Sequence, residues 1–534
     1  MNKQKSCYAV KSLFAICIAA FLLTACSAFG GNQHPPYDYP PEYNGYEPTY
    51  DTQFIERTLP TGHIPDDGIL RLPMRNPLTL NPLLNEDATV APILRLIFEP
   101  LVIFDQNLRP TGHLAHVELS SDFTRATLTI RDDAIWSDGM PVTSNDLIFS
   151  IEVLRLAPET VIYKRNVENI ARVDRIDAKT VQITFERASV TASYALNFPI
   201  IPEHHFRGHI NARSPRNREP IGNGQYKLES MALMQSMTLV RNPYTFRQRP
   251  AIEQIEIIFI PDAETKLHAF DQGVVDALRL PFAEWVKHHS VKPVHHEEFP
   301  AMYFEFVGFN YRRAIFRNTE TRRAVAHAFN ADEAMNAVYL HQAVRAVSPI
   351  HPYSWMHDGG VAGPAHDPAR AREMFRTLSM PEILEIVVNT EHIERVHIAQ
   401  RLAAGLASAG QPATVVALPF DEYYSRLTDG EFDIFLGGMR LDLVPDFGFM
   451  FQGGGLFPTD PALYGLLAAL NIASTESAYL QAVSQLQQGF VDMLPIISLG
   501  FRHSAVLTST RVVQGREPAP DNVFGFVNEW DIVD

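Results

Sequence analysis

Beyond Cys26 this chain of 534 residues has no cysteine; its three, Cys7, Cys17 and Cys26, all lie near the N-terminus. Everything after that point is denied an intramolecular disulfide, a cysteine-held metal and a cysteine nucleophile, so cohesion must come from core packing. A basic excess is missing too. Lys and Arg number 45 against 61 Asp and Glu, a net charge of −16, which offers nothing to neutralise phosphates and argues against nucleic acid as a partner. After residue 25 no apolar run approaches the ~20 residues of a membrane span. Enzyme signatures are equally scarce. There is no Gly-x-Ser-x-Gly elbow, and His392, Glu394 and His397 lack the i, i+4 histidine spacing of a zinc peptidase helix. Only an unrecognised Asp/Glu pair would leave room for a hydrolase, so no catalytic residue, cofactor or metal site is assigned.

What is present is an ordinary globular balance, 46% hydrophobic and 20% charged residues, enough for several folding units or two large lobes. Lys3, Lys5 and Lys11 precede a short apolar run over 13–25, the pattern of an export signal. The run ends in Leu23-Thr24-Ala25-Cys26, which resembles a bacterial lipoprotein box. Residues 1–25 are therefore expected to be a signal peptide and Cys26 the lipidated anchor, with an ordinary cleaved signal as the alternative. Residues 26–51 are rich in Pro and Tyr and show no helical or strand period. They are expected to form a semi-rigid tether, or alternatively a Pro/Tyr motif for a partner.

The body after residue 52 reads as mixed α/β. Segments 101–104, 126–131, 180–185, 255–260, 383–388 and 414–418 are rich in β-branched or aromatic residues, as strands are. Asp262 can cap a helix carrying Leu267 and Phe270. Ile398, Leu402 and Leu406 share one face of a helix over 394–409, which Gly410 and Pro412 end. With strands at 383–388, 414–418 and 432–436 around it, that helix predicts a βαβ unit and a parallel sheet.

Several motifs occur in order along this body: Pro77-Leu78-Thr79-Leu80-Asn81-Pro82-Leu83, Phe98-Glu99-Pro100-Leu101, Trp136-Ser137-Asp138-Gly139, Ile221-Gly222-Asn223-Gly224-Gln225-Tyr226, Arg241-Asn242-Pro243-Tyr244, Asp271-Gln272-Gly273-Val274-Val275-Asp276, Arg322-Arg323-Ala324-Val325-Ala326 and His366-Asp367-Pro368-Ala369. Each alone is a weak signal, and the Trp-x-Asp-Gly and Gly-Asn-Gly pieces read most simply as turns. Together, from about residue 70 to 530, they resemble the family 5 extracellular solute-binding proteins, peptide receptors of bacterial ABC importers. The resemblance implies an α/β, two-lobed periplasmic-binding-protein-like (type II) fold with an extra inserted subdomain in lobe one. Mapped here, lobe one takes 52–306 plus 500–534, with the insert at about 96–204, and lobe two takes 307–499. Hinge crossings are expected near Gly308 and Gly500.

The same resemblance implies that a carboxylate following a strand grips the ligand's α-ammonium while the peptide backbone pairs in strand-like fashion. The matching stretch is Gly437-Gly438-Met439-Arg440-Leu441-Asp442-Leu443-Val444-Pro445-Asp446. Asp442 is the candidate ammonium ligand, against the alternative of a solvated turn acid, and Asp446 is a second choice. Met439 stands where the family carries tryptophan. Arg440, two residues before Asp442, could neutralise that aspartate or grip a ligand carboxylate. The histidine doublets His204-His205, His288-His289 and His295-His296 are scattered and read as surface or interface residues.

The expected protein is thus a monomeric, extracytoplasmic receptor, held to the cell membrane by lipid on Cys26, that captures a short peptide or other small solute and passes it to ABC permease subunits. A non-peptide guest (metal chelate, oligosaccharide or opine-like compound) and a surface peptide sensor are the alternatives.

Overall fold

A computed structural model describes residues 67–211, 213–281, 294–444, 457–458, 460–515 and 522–533. The expected signal peptide, Cys26, the tether, His288, His289 and Asp446 lie outside them. A seven-stranded mixed sheet forms the centre. Its strands are β1 (Ala277–Pro281), β2 (His295–Phe309), β3 (Ala343–Arg345), β4 (Leu384–Asn389), β5 (Ala413–Leu418), β6 (Ile434–Arg440) and β7 (Ile497–Thr508). They are ordered β1-β7-β2-β6-β4-β5, with β3 also pairing to β7.

The predicted βαβ unit is present. Helix α1 (Ile393–Ser408) connects β4 to β5, and β4 runs parallel to both β5 and β6. Ile398, Leu402 and Leu406 are fully buried, so the apolar face packs on the sheet as the spacing requires. Gly410 closes the helix at φ +88°. The other half of the sheet is antiparallel, with the long β2 between β6 and β7.

Two four-stranded sheets precede it. One joins Ile69–Met74, Gln254–Phe259, Ser236–Arg241 and Tyr226–Ala232; the other joins Ala115–Leu119, Arg125–Ile130, Thr180–Phe185 and Ile170–Arg175. Asp262 accepts a hydrogen bond from the Thr265 amide at 2.8 Å and caps the helix Ala263–Asp271. Trp136 is wholly buried, with the Gly139 amide donating to its carbonyl at 2.9 Å, which is the turn expected there.

Buried hydrophobic residues form three clusters; β2 and β7 run through all of them and β1 through two. Ala277, Phe299 and Val506 pack with the N-terminal sheets and the C-terminal Trp530. Leu278, Leu280, Leu499 and Leu507 join a second cluster around α1. Phe304, Phe306 and Phe501 join a third, with Met439 and Phe490. Buried Asp276, just before β1, fastens this junction: it accepts from the Arg71 amide at 2.7 Å and from Arg511 Nε at 2.8 Å, tying both ends of the described chain to one carboxylate.

Gly308 and Gly500 owe their identity to packing. Gly308 sits inside β2 with the Phe435 ring where a Cβ would be. Gly500 lies at a register shift between β2 and β7, with φ +139° and the Val344 carbonyl pressed against it.

Candidate functional site

The site expected after β6 begins in a strand buried on both faces up to Met439. Its Gly437-Gly438 pair is a close-approach feature. A methyl on Gly438 would overlap the Arg395 guanidinium and the Glu305 carboxylate, which meet directly above it. Glu305, on β2 and 1% exposed, accepts from Arg395 Nε at 2.7 Å and Nη2 at 3.1 Å; Arg502 Nε stands 3.8 Å away. Burial works against the Arg395 charge, but Glu305 more than offsets it and holds the guanidinium protonated well above its ordinary range. This bidentate pair welds the first turn of α1 to the central strand and engages Glu305 fully.

Met439 is 8% exposed, pairs in register with Phe304 and belongs to the third core cluster. Arg440 and Asp442 are both exposed. Arg440 lies opposite Tyr303, and Asp442 follows two residues later on the loop. Among the described residues neither makes an ion pair with the other or with anything else, so Arg440 does not neutralise Asp442 here.

Two further arginines converge on Arg440. The Arg502 Cζ of β7 stands 4.4 Å over the Tyr303 ring, and the Arg279 Cζ of β1 stands 5.3 Å over Phe299. Arg279 is exposed, with the cations Arg440 and Arg502 near enough to act on its charge. Burial first, then the like charges of Arg440 and Arg502, push its pKa down to about 10, while Tyr303 acts in the opposite sense; it stays charged at neutral pH. His392 next to α1 is driven down to about 2 by burial and then by Arg395 and Arg502, so it is neutral. Sequence reasoning missed Arg279 and Arg502. The available signal was weak: a lone arginine in the otherwise apolar Ala-Leu-Arg-Leu-Pro, and one beside polar neighbours in Gly-Phe-Arg-His-Ser.

A second set of contacts joins the 96–204 segment to residues beyond 350. Arg109 Nη2 meets Glu476 Oε2 at 2.5 Å, and its Cζ sits 4.4 Å over the Trp355 ring. Trp355 Nε1 donates to the Tyr194 hydroxyl at 2.6 Å, which donates in turn to the Leu108 carbonyl at 2.8 Å. Elsewhere, a surface depression of about 380 Å³ is lined by Ala337, Val338, His397, Gln400, Arg401 and Ala404 and by none of Arg279, Arg440 and Arg502. It carries no converging buried polar group, and the arginine-bearing strands beside Asp442 are the better candidate. Of the histidine doublets, His204 pairs with Asp138 at 2.7 Å, and His296 with Glu298 at 3.5 Å. Among the described residues no cluster of three or more His, Cys, Asp or Glu is placed to hold a metal, and no helix is long and apolar enough to cross a membrane.

Comparison with known proteins fits this arrangement. The profile of the bacterial extracellular solute-binding proteins, family 5 Middle, matches residues 109–455. A Brucella ovis protein whose name assigns it to ABC-transporter peptide binding is 25% identical over 285 residues, 52% of this chain and 54% of the relative, so the match spans about half the relative's length. The ABC transporter substrate-binding protein CtaP from Listeria monocytogenes superposes with a TM-score of 0.77 at 18% identity, over 89% of this chain and 100% of that one. The oligopeptide-binding protein AppA of Bacillus subtilis, solved with a nonapeptide, gives a TM-score of 0.63 at 17% identity, over 89% and 99%. At such identities the superpositions establish the fold, the α/β architecture of these binding proteins.

Proposed function

Because this chain belongs to the bacterial extracellular solute-binding proteins of family 5, we propose that it captures short peptides in a cleft between two lobes and delivers them intact to an ABC permease. Lobe one takes 52–306 and 500–534, with the insert at 96–204, and lobe two takes 307–499. The chain is a monomer anchored through lipid on Cys26, with residues 26–51 as its tether, and closure turns about the crossings near Gly308 and Gly500. Asp442 receives the peptide's α-ammonium, Asp446 is the second choice for that role, and Met439 supports Asp442's strand from within the core.

The observation that carries this reading is Asp442 beyond β6, exposed and without an ion-pair partner among the described residues, beside the junction where three core clusters share strands. A carboxylate with no ion-pair partner among the described residues at such a junction can meet a cationic group without first breaking an ion pair with them. The reading is tested by melting the purified chain with a library of short peptides. Binding to the native state alone raises stability by about 2.7 kcal/mol at a hundredfold excess over Kd. Stabilisation by some peptides, recovered chemically unchanged, is the expected result. A library without effect, while a chelate, oligosaccharide or opine-like compound stabilises, would transfer the site to a non-peptide guest. Cleaved peptide would make the protein an enzyme.

A further inference from the structure

We propose that the hairpin tip at 105–109 is a catch that moves with the insert and seats in lobe two when the cleft shuts, with Leu108 as its plug and Tyr194 and Trp355 as its clasp. The inference rests on the two-lobed reading above and deepens it by naming contacts of protein with protein that hold the cleft shut.

Leu108 has an unfavourable conformation for its residue type. The strands Val102–Phe104 and Pro110–Gly112 pair antiparallel. Between them the Leu108 amide donates to the Asp105 carbonyl at 3.0 Å and the Asp105 amide to the Arg109 carbonyl at 3.0 Å, which leaves Gln106, Asn107 and Leu108 as a three-residue hairpin loop. Such a loop is a turn followed by one left-handed residue, and glycine suits that place because it has no Cβ to clash. Leu108 occupies it at φ +58°, a costly backbone for so large a side chain. The turn itself does not ask for leucine, because Asp105 Oδ1 already braces it by accepting from the Asn107 and Arg109 amides at 2.8 and 2.9 Å. What leucine adds is burial. At a hairpin tip, where side chains ordinarily meet water, Leu108 is only 4% exposed.

That burial comes from the far side of the proposed cleft. The third core cluster takes Leu108, Val190 and Tyr194 from the insert, and its other buried members, among them Met302, Ile350 and Met356, come from 302–501. Hydrogen bonds ring the plug. The Trp355 amide donates to the Asn107 carbonyl at 2.9 Å, the Trp355 indole donates to the Tyr194 hydroxyl at 2.6 Å, and that hydroxyl donates to the Leu108 carbonyl at 2.8 Å. Arg109 closes the outside, 4.4 Å over the Trp355 ring and paired with Glu476. Parts of one chain that share so few contacts move against each other by default, unlike parts joined by a large apolar interface. Because the catch is made by protein alone, it stabilises the shut form with or without a guest, and its parting is a step that release must include.

The test uses the full chain purified in detergent and follows amide hydrogen exchange by mass spectrometry, first with no guest. A catch that opens frees segments 102–112, 190–197 and 353–357 in one event, so the three should share one level of protection, below that of the strands Arg125–Ile130 and Leu384–Asn389. Leu108→Gly relieves the left-handed backbone and removes the plug. It should raise exchange at all three segments by about tenfold or more, with the two strands and the melting temperature unchanged. Tyr194→Phe keeps the ring, removes the clasp's hydroxyl and should act in the same direction, so the outcome does not hang on one variant. Wild-type protection of the three segments equal to that of the two strands would mean permanent packing and overturn the catch. Leu108→Gly loosening 102–112 alone, with 353–357 unmoved, would overturn it as well. Trialanine is added last. Slower exchange at the three segments would support the solute-binding reading together with the catch, whereas unchanged exchange would count against the peptide reading and leave the catch to stand on the unliganded result.

Discussion

At Asp442 the account makes its sharpest residue-level statement. The side chain is exposed and unpaired among the described residues, so replacing its charge should cost the fold little and the guest much. Asp442→Asn is predicted to weaken peptide binding by about 1–3 kcal/mol, measured by calorimetry, with an unchanged unliganded melting temperature. His351 makes a different prediction. It is 3% exposed, its ring 4.5 Å from that of Phe501, and burial, then His503 and His357, lower its pKa to about 3. The unfolded imidazole titrates near ~6.5, so between those values the unfolded chain binds a proton that the folded chain refuses. The contribution of neutral His351 is complete above pH ~6.5 and is lost as pH falls toward ~3, at up to about 1.4 kcal/mol per pH unit. Melting temperature should drop between pH 7 and 5, and less steeply in His351→Gln; equal slopes would show that His351 does not set this dependence. His351, Arg279 and Arg502 were not selected from sequence, since what distinguishes them is the neighbours that distant strands bring. Asp442 and Arg440 were legible because the loop that follows a strand carries both of them within one short motif.

Among the elements, the parallel unit β4–α1–β5 was readable because local signals agreed: an apolar stripe at helical spacing, a glycine stop and flanking β-branched runs. The strands at 180–185 and 255–260 appear within one residue of expectation, as Thr180–Phe185 and Gln254–Phe259. What requires glycine at these two positions of β2 and β7 was not legible. Gly308 answers to the Phe435 ring and Gly500 to the Val344 carbonyl, contacts made by residues far along the chain. The Glu305–Arg395 pair above Gly438 was invisible for the same reason. Its loss should be felt strongly, because removing one partner strands a buried charge: Glu305→Gln is expected to destabilise by about 3–5 kcal/mol in denaturant unfolding. A change below about 1 kcal/mol would mean that water already reaches the pair.

For the molecule as a whole, the two-lobed fold followed from motif order, whereas the contacts between distant parts did not. Arg109, Tyr194, Trp355 and Glu476 meet across 367 residues of sequence. In the proposed cycle they fasten the insert of lobe one to lobe two when the cleft is shut. The Arg109–Glu476 pair is half exposed and worth little by itself, so the stacked and hydrogen-bonded Trp355 is the better target. Trp355→Ala should speed dissociation of a bound peptide by about tenfold without altering the guest preference set by the proposed cleft; an unchanged dissociation rate would remove these residues from closure.

The central claim is that a short peptide enters the proposed cleft and leaves it whole. Titration calorimetry of the full chain against short peptides, with the peptide weighed by mass spectrometry afterwards, tests it most directly. The account predicts saturation at one peptide per chain and an unchanged peptide mass. No heat from any peptide, or fragments at the end of the titration, would contradict it.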